Sequence, residues 1–127
     1  MSLMPLEVRE DGGETVLHSP DGWNLTLSSA NAQRARRASS RKVIVGARHS
    51  TLRIHRSPTA GTVPGTVYTV EPTGDITFLQ IHLGSQEVMV SIEPHVAIAP
   101  DESVWLEFDQ NRLHIFDGES QQALAVD

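Results

Sequence analysis

The carboxylates of Glu107 and Asp109 have the type and spacing that most resemble a catalytic pair. Because they stand two residues apart, they would share one face of a β-strand, and two neighbouring carboxyl groups can act as general acid and base. Leu106 and Phe108, however, alternate with them in the way that core residues alternate with solvated ones. The pattern therefore favours an outer strand face over an acid–base site.

The six histidines are the other candidates for chemistry, because imidazole is a common metal ligand. No two of them are separated by two or four residues, the spacings that place side chains together on one strand or helix; they are His18, His49, His55, His82, His95 and His114. The chain has no cysteine, which excludes disulfides and thiolate metal sites. We expect no metal site and no cofactor in this chain.

Motifs of nucleotide-dependent and hydrolytic enzymes are also missing from the sequence. There is no G-x-x-x-x-G-K-[ST] phosphate loop, no H-E-x-x-H zinc motif and no G-x-S-x-G nucleophile turn. No apolar run approaches the roughly 20 residues that cross a bilayer, and the first residues do not resemble a signal peptide. These residue types predict a soluble protein without catalytic activity.

Charge is distributed unevenly along the 127 residues, whose net charge is −6. Residues 34–56 contain eight bases and no acid, whereas residues 57–127 contain eleven acids and one base. The most basic part, 34–42, could bind nucleic acid or lipid phosphates, but we favour a solvated connector that docks on the acidic remainder of its own chain or of a neighbour. No aromatic residue lies inside this tract to stack on bases, so we expect no nucleic-acid partner.

Most of the chain alternates apolar and polar residues with the period of two that marks half-buried β-strands. Within residues 76–92, two alternating runs flank Gly84-Ser85, a pair suited to a two-residue hairpin turn. The turn sequence SPDG predicts a second hairpin, and a third is predicted between residues 104–108 and 113–116. In the last run, the same alternation places Leu113 and Ile115 on the core side.

The overall pattern predicts an all-β protein with at most one short helix. Only residues 30–38 favour a helix, and they lack an apolar stripe, so we expect a short helical turn or a mobile loop there. Many short strands joined by Gly, Pro and Asp turns argue for a small antiparallel barrel or sandwich. The stretch SPTAGTVPG is typical of a junction between two groups of strands.

The second half of the chain resembles a known family. The stretches GTVYTVEPTGDITFLQIHLGSQEVMVSI and PDESVWLEFDQNRLHIFDGESQQAL are similar to the C-terminal regulatory segment, or TOBE domain, of ATPase subunits from ATP-binding cassette (ABC) importers of the maltose and glycerol-phosphate type. The matching positions are Gly65, Val67, Val70, Glu71, Gly74, Thr77, Phe108, Asp109, Leu113, His114, Phe116 and Asp117. Upstream, VIVGARHSTLRI matches through Gly46, Arg48 and Leu52, whereas Gln110 replaces a proline of the family pattern.

The resemblance implies an OB-fold-like β-barrel of the TOBE and MOP type, in a single regulatory domain of two β lobes. The first strands and the connector would occupy about 4–56, and the TOBE-like barrel about 61–124, while residues 1–3 resemble a cloning leader. The implied function is a non-catalytic regulatory and dimerisation domain of an ATP-binding subunit that imports a sugar or related solute. ATP and Mg²⁺ would then bind to an ATPase domain outside this chain.

The resemblance also implies partners, and it places an interface at Arg48, Glu71, Thr77, His114 and Phe116. Such domains pair across a two-fold axis and work with an ATPase domain and membrane permease subunits at the cytoplasmic face of the inner membrane. Some members also receive a regulatory protein or a small ligand. Phe116 could anchor the homodimer or simply cover a neighbouring strand, and the sequence favours neither.

An alternative function is a stand-alone barrel that binds a small oxyanion. Related TOBE-like barrels bind oxyanions such as molybdate at subunit interfaces. Backbone amides and Ser or Thr hydroxyl groups would carry that role, and such a site needs no single diagnostic residue.

Overall fold

The structure is a computed structural model that describes residues 1–125. Within that range the chain forms ten β-strands, one α-helix (α1, Ser29–Arg36) and two 3₁₀ turns (His49–Thr51 and Gln110–Arg112). The strands are β1 (Ser2–Asp11), β2 (Glu14–His18), β3 (Asn24–Thr26), β4 (Lys42–Ala47), β5 (Leu52–His55), β6 (Val63–Pro72), β7 (Thr77–Leu83), β8 (Gln86–Ile92), β9 (Ser103–Phe108) and β10 (His114–Asp117). The predicted all-β, OB-like fold is confirmed.

The strands form two antiparallel five-stranded sheets around one core. The strand order is β10-β4-β1-β2-β3 in the first sheet and β5-β9-β6-β7-β8 in the second. The second sheet curls so that β5 comes near β8. Alternate residues of both sheets point into the shared core, and those with no exposed surface include Met4, Val45, Ile81 and Leu106. Burial of these side chains is the main driving force for the fold.

Two of the three predicted hairpins are confirmed. In the β7–β8 hairpin, Leu83 lies opposite Gln86, and Gly84 has the positive φ of 71° that a two-residue turn needs. In the β2–β3 hairpin, Leu17 lies opposite Leu25 across the SPDG turn. In both hairpins the strands that are neighbours in sequence also pair with each other, so local turn residues are sufficient to predict them.

The third predicted hairpin, between residues 104–108 and 113–116, is wrong. Strand β9 pairs with β5 and β6, whereas β10 pairs with β4 in the other sheet. The cause is the segment after β9: the Asp109 side chain accepts a 3.0 Å hydrogen bond from the Asn111 N–H and starts a 3₁₀ turn. This turn carries the chain from the second sheet to the first.

The same crossing distributes the strands of the two predicted lobes over both sheets. Strand β5 belongs to the predicted first lobe, 4–56, but lies in the second sheet. Strand β10 belongs to the predicted second lobe, 61–124, but lies in the first sheet. Each sheet therefore contains one strand from the other half of the chain.

Helix α1 forms where the sequence predicted a short helical turn or a mobile loop. Ser28 caps it, because the Ser28 hydroxyl accepts the Asn31 N–H at 3.2 Å. The buried side of the helix consists of the small residues Asn31, Ala32 and Ala35, which explains the missing apolar stripe. The Asn31 amide donates to the backbone and side-chain oxygens of Gln110 at 2.8 and 2.9 Å. These bonds fasten α1 to the second 3₁₀ turn.

The basic tract packs on its own chain. Three of its guanidinium groups donate hydrogen bonds within the first lobe, at 2.7 to 3.3 Å; the pairs are Arg34 with Asn31, Arg36 with Thr15, and Arg41 with Val8. The acceptors are neutral oxygens rather than the acidic groups that the connector interpretation invoked. The tract therefore serves as a connector, but by ordinary hydrogen bonding rather than by ion pairing at these three residues.

Candidate interaction surface

The outward side chains of three neighbouring strands form a largely apolar surface on the first sheet, here called the β10 face. Its residues are Leu3, Pro5, Ile44, Gly46, His114 and Phe116. Phe116 lies opposite Ile44, and His114 lies opposite Gly46. Ile115, between them on β10, is buried. The alternation predicted for this strand therefore holds, and both of its predicted interface residues point outward.

Phe116 is half-buried because its ring lies over Gly46. A Cβ atom at position 46 would stand 2.5 Å from Sδ of Met1 and 3.2 Å from Cε2 of Phe116, so glycine lets both side chains approach β4 closely. The ring of His114 runs nearly parallel to that of Phe116, with centroids 6.3 Å apart and planes 13° apart. Phe116 thus covers a neighbouring strand and still keeps part of its aromatic surface exposed. The two roles left open by the sequence are compatible.

Arg48 lies at the same end of the first sheet. It follows β4 directly, and its side chain is exposed. Its backbone carbonyl accepts hydrogen bonds from the Thr51 N–H at 3.0 Å and from the Thr51 hydroxyl at 2.9 Å, which form the first 3₁₀ turn. Arg48 follows Gly46 by two residues, and Gly46 lies opposite His114. Arg48 therefore lies close to the His114 end of the β10 face. The structure thus brings three of the five predicted residues together.

Glu71 and Thr77 lie apart from these three, on the β6–β7 hairpin of the second sheet. Glu71 is exposed and lies opposite Phe78. Thr77 lies opposite Ile92 and is only 5% exposed, so its side chain is not part of the surface of this chain. Of this pair, only Glu71 is placed to meet a partner directly.

His49, which the sequence did not single out, links the two groups. Its Nδ1 atom lies 3.0 Å from the Ser91 hydroxyl, and its ring packs edge-on against Phe78 at 5.2 Å. Phe78 lies opposite Ser91 on one side and Glu71 on the other. The 3₁₀ turn after Arg48 therefore packs on the row that contains Glu71. An isolated histidine in a loop carries no sequence signal for such a contact.

A second surface that the sequence missed lies on the outer side of the second sheet. We call it the aromatic groove; it is lined by Pro64, Thr66, His82, Ser103 and Trp105, among others. Tyr68 stacks on His82, with ring centroids 4.4 Å apart and planes 19° apart. The sequence signal was weak, because the only trace of this arrangement is an interrupted alternation in VYTV.

The described residues show little sign of catalytic chemistry. Among residues 1–125, no group of three or more His, Asp or Glu side chains could hold a metal ion. Glu107 accepts His55 at 2.8 Å, and Asp109 caps the second 3₁₀ turn, so the two carboxylates serve different partners. In the same part of the chain, no helix has both the length and the apolar character needed to span a membrane.

Two carboxylates have shifted pKa values, and both have structural causes. Hydrogen bonds from the Glu119 N–H and from Ser39 hold the pKa of Asp117 below its ordinary value of 3.8. The Arg9 guanidinium, 2.9 Å from Glu7, lowers the pKa of that exposed carboxyl. Both groups stay ionised near neutral pH. Neither shift is of the kind that prepares a carboxyl group to act as a general acid.

Comparison with known proteins identifies relatives of this chain. Residues 57–115 match the family model of the TOBE domain. An uncharacterized ABC transporter ATP-binding protein, y4oS of Sinorhizobium fredii, is 28% identical over 92% of this chain. The sulfoquinovosyl glycerol transport ATP-binding protein SmoE of Agrobacterium fabrum is 26% identical over 82% of it. The chain spans 29% of the length of each of these relatives.

A solved structure shares the fold. The cytoplasmic molybdate-binding protein ModG, in a form with molybdate bound, superimposes with a TM-score of 0.70 over 89% of this chain and 93% of its own. At 12% sequence identity, the similarity concerns the fold alone. Residues 57–115 therefore match the TOBE domain by sequence, in a chain whose curated relatives are ABC transporter ATP-binding proteins.

Proposed function

We propose that this chain is the non-catalytic regulatory and dimerisation domain of the ATP-binding subunit of an ABC importer for a sugar or related solute. The main support is that similarity to ABC ATP-binding proteins spans 92% of this chain but only 29% of the relative. ATP and Mg²⁺ would bind in the remainder of such a subunit. The subunit would work with permease subunits at the cytoplasmic side of the membrane.

The β10 face is the surface best suited to pair two copies. A two-fold axis would bring the same residues of both copies together, so that each Phe116 meets the equivalent surface of the other copy. Half-exposed aromatic residues often dominate contact energy. A domain of this kind regulates its parent only if it binds differently in two states of the transport cycle. Pairing that is tighter in one state would supply that difference.

The full reading frame provides the first test of this function. We expect it to encode a phosphate loop and an ABC signature outside the chain described here. A reading frame without these motifs would contradict the proposal.

Sedimentation of the full ATP-binding subunit provides the second test. Phe116→Ala should weaken dimerisation by roughly 30-fold, because truncating a central interface aromatic costs about 2 kcal/mol. Ile76→Ala, which removes an exposed apolar side chain outside the β10 face, is the control and should leave the dissociation constant unchanged. Equal dissociation constants for wild type and Phe116→Ala would exclude the β10 face as the pairing surface.

Oxyanion binding is the second candidate, supported by the fold shared with a molybdate-bound protein. Backbone amides and hydroxyl groups would hold the anion. Calorimetry with molybdate, tungstate and sulfate tests it. Heat of binding that saturates at micromolar molybdate would favour this function, and no heat at millimolar anion would remove it.

A further inference from the structure

Tyr68 is exposed on the outer side of the second sheet because β6 contains a β-bulge. The pairing register with β7 shifts between Val67 and Thr69, so Tyr68 is the extra residue. Val67 faces the core, whereas Thr69 lies opposite Gln80 on the outer side. Tyr68 and Thr69 therefore both point outward. Bulges of this kind re-aim side chains and are over-represented beside functional sites.

The exposure of Tyr68 is unusual within this protein. All six aromatic residues lie in the described part of the chain, and Tyr68 is the one that is exposed, at 56%. It stands on β6, an inner strand of the sheet, where a large exposed ring gains nothing for the core. Its ring stacks on that of His82, and more than half of the residue's surface remains exposed to solvent.

The floor of the aromatic groove is a polar row that crosses four strands. Thr66 on β6 lies opposite Ser103 on one side and His82 on the other. His82 in turn lies opposite Glu87, whose carboxylate is 3.3 Å from the His82 Nε2 atom. This contact positions the imidazole, while the hydroxyl groups of Thr66 and Ser103 belong to exposed residues. The row presents both donors and acceptors to solvent.

Aromatic rings flank this row on two sides. Trp105 on β9 lies opposite Pro64, beside the row, and lines the groove. The Tyr68–His82 stack forms the other side. A groove that combines aromatic faces with hydroxyl, imidazole and carboxylate groups suits a ring-shaped ligand that is apolar on its faces and hydroxylated at its edge.

The charge around the groove is mixed, without an excess of positive charge. Glu87 lies opposite His82, and Glu107 lies opposite Arg53 on the neighbouring strand β5. Nucleic acid also stacks on aromatic surfaces, but it requires a basic surface to neutralise its phosphates. A neutral polyhydroxylated ring meets both the stacking and the charge requirement.

We infer that the aromatic groove binds the pyranose ring of a neutral saccharide. The ring lies over Thr66 between Trp105 and the Tyr68–His82 stack, and its hydroxyl groups bond to Thr66, Ser103 and His82. The role of this site as a sugar sensor in an importer's regulatory domain rests on the function proposed above. The binding itself needs neither a dimer nor an ATPase domain.

Nuclear magnetic resonance of this chain with methyl α-D-glucopyranoside and maltose tests the inference. We expect saturable shifts at the amides of Thr66, Tyr68 and Ser103 and at the Trp105 indole, with a dissociation constant of the order of millimolar, as suits a small open site. Tyr68→Ala and Thr66→Val should each weaken binding about fivefold or more. The control Ile76→Ala removes an exposed side chain outside the groove and should leave binding unchanged.

Three outcomes would overturn the inference. They are the absence of a saturable shift up to about 100 mM of either sugar, equal affinity of wild type, Tyr68→Ala and Thr66→Val, and tighter binding of glucose 6-phosphate than of methyl α-D-glucopyranoside. A failure here would leave dimerisation through the β10 face intact. Conversely, a reading frame without ABC motifs would contradict the proposed function, but sugar binding by the groove could still be measured.

Discussion

Asp117 holds the end of β10 to the turn that follows α1. Its carboxylate accepts the Ser39 N–H at 3.2 Å, the Ser39 hydroxyl at 3.0 Å and the Glu119 N–H at 3.1 Å. These bonds favour the ionised form and lower the pKa of Asp117. A carboxyl group whose pKa is lower in the folded state stabilises the fold above its unfolded pKa. That stabilisation is lost as the pH falls below 3.8 and through the folded pKa.

Asp117→Asn should therefore lower the Tm at pH 7 and reduce its dependence on pH between about 4 and 2.5. The amide nitrogen cannot accept a hydrogen bond, so one of the three donors loses its partner. Thermal unfolding across this pH range measures both effects. Glu119→Gln, which alters an exposed carboxyl group two residues away, is the control. Identical pH profiles for wild type and Asp117→Asn would show that the carboxylate does not stabilise the fold.

Gln110 is a departure from the family pattern that the structure explains. Its side-chain oxygen accepts the Ser28 N–H at 2.8 Å and the Asn31 amide at 2.9 Å, and its own amide donates to the Thr26 carbonyl at 3.0 Å. A proline at this position could make none of these side-chain bonds. Gln110 thus ties the start of α1 to the connection between the two sheets.

Gln110→Ala should reduce the free energy of unfolding by about 1–3 kcal/mol, because it leaves donors at the start of α1 without acceptors. Urea unfolding followed by circular dichroism measures the change. Asn111→Ala, which truncates the neighbouring exposed amide, should change the value by less than about 0.5 kcal/mol. Equal effects of the two substitutions would contradict the role assigned to Gln110.

Two hairpin turns from different sheets are joined by hydrogen bonds. The Asp21 carboxylate in the β2–β3 turn accepts the N–H and the hydroxyl of Ser85 in the β7–β8 turn, at 2.9 and 2.8 Å. The Trp23 indole donates to the Leu83 carbonyl at 3.0 Å. The hairpin predicted from Gly84-Ser85 is therefore also a contact between the lobes. Its sequence gave no hint of that second role.

Gly84→Ala should be more destabilising than Gly74→Ala. Both glycines have positive φ, of 71° and 101°, so each substitution costs about 1–2 kcal/mol in backbone strain. At Gly84 the new Cβ would also collide with the side chain of Asp21, whereas at Gly74 it would meet no atom within 4 Å. We expect an additional loss of about 1–2 kcal/mol, as the Asp21–Ser85 bonds break. Equal losses in urea unfolding would argue against the contact.

The sequence predicted elements well where the deciding interaction is local. Alternation identified the buried faces of β7, β8 and β10, and turn residues identified two hairpins. Prediction of strand pairing failed where a strand has several possible partners far away in the sequence, because the same alternating run can pair with any neighbour of matching length. The β9–β10 hairpin failed for this reason. Asp109 caps the 3₁₀ turn between these strands, but alternation on both sides of the turn masked it.

The candidate surface was predictable only in part for the same physical reason. Outward positions such as His114 and Phe116 follow from alternation within one strand. That Arg48 joins them, while Glu71 stays on the other sheet, depends on pairing between sheets. Tyr68 was missed because a bulge adds one residue and shifts the side-chain alternation that outward predictions rely on.

The exchange of β5 and β10 between the sheets makes the two lobes one cooperative unit. Neither sheet can complete its ladder while the other half of the chain is unfolded, since each contains a strand from that half. The lobes also share one hydrophobic core. They should therefore unfold together rather than in two steps.

The two tryptophans can test this cooperativity, because Trp23 reports on the first lobe and Trp105 on the second. Single-tryptophan variants Trp23→Phe and Trp105→Phe should each show one urea transition by fluorescence. In each variant the fluorescence midpoint should coincide with the midpoint from circular dichroism. A fluorescence transition that precedes the circular dichroism transition in either variant would show that one lobe unfolds separately.

The position of β10 after β9 in the chain also sets the order in which the two sheets can be completed on the ribosome. Strands β6 to β9 leave the ribosome before β10, so the second sheet can close while β4 still has an open edge. Such an edge is a template for pairing with another chain. A polypeptide that stops between Phe108 and His114 would therefore have a complete second sheet and an aggregation-prone first sheet.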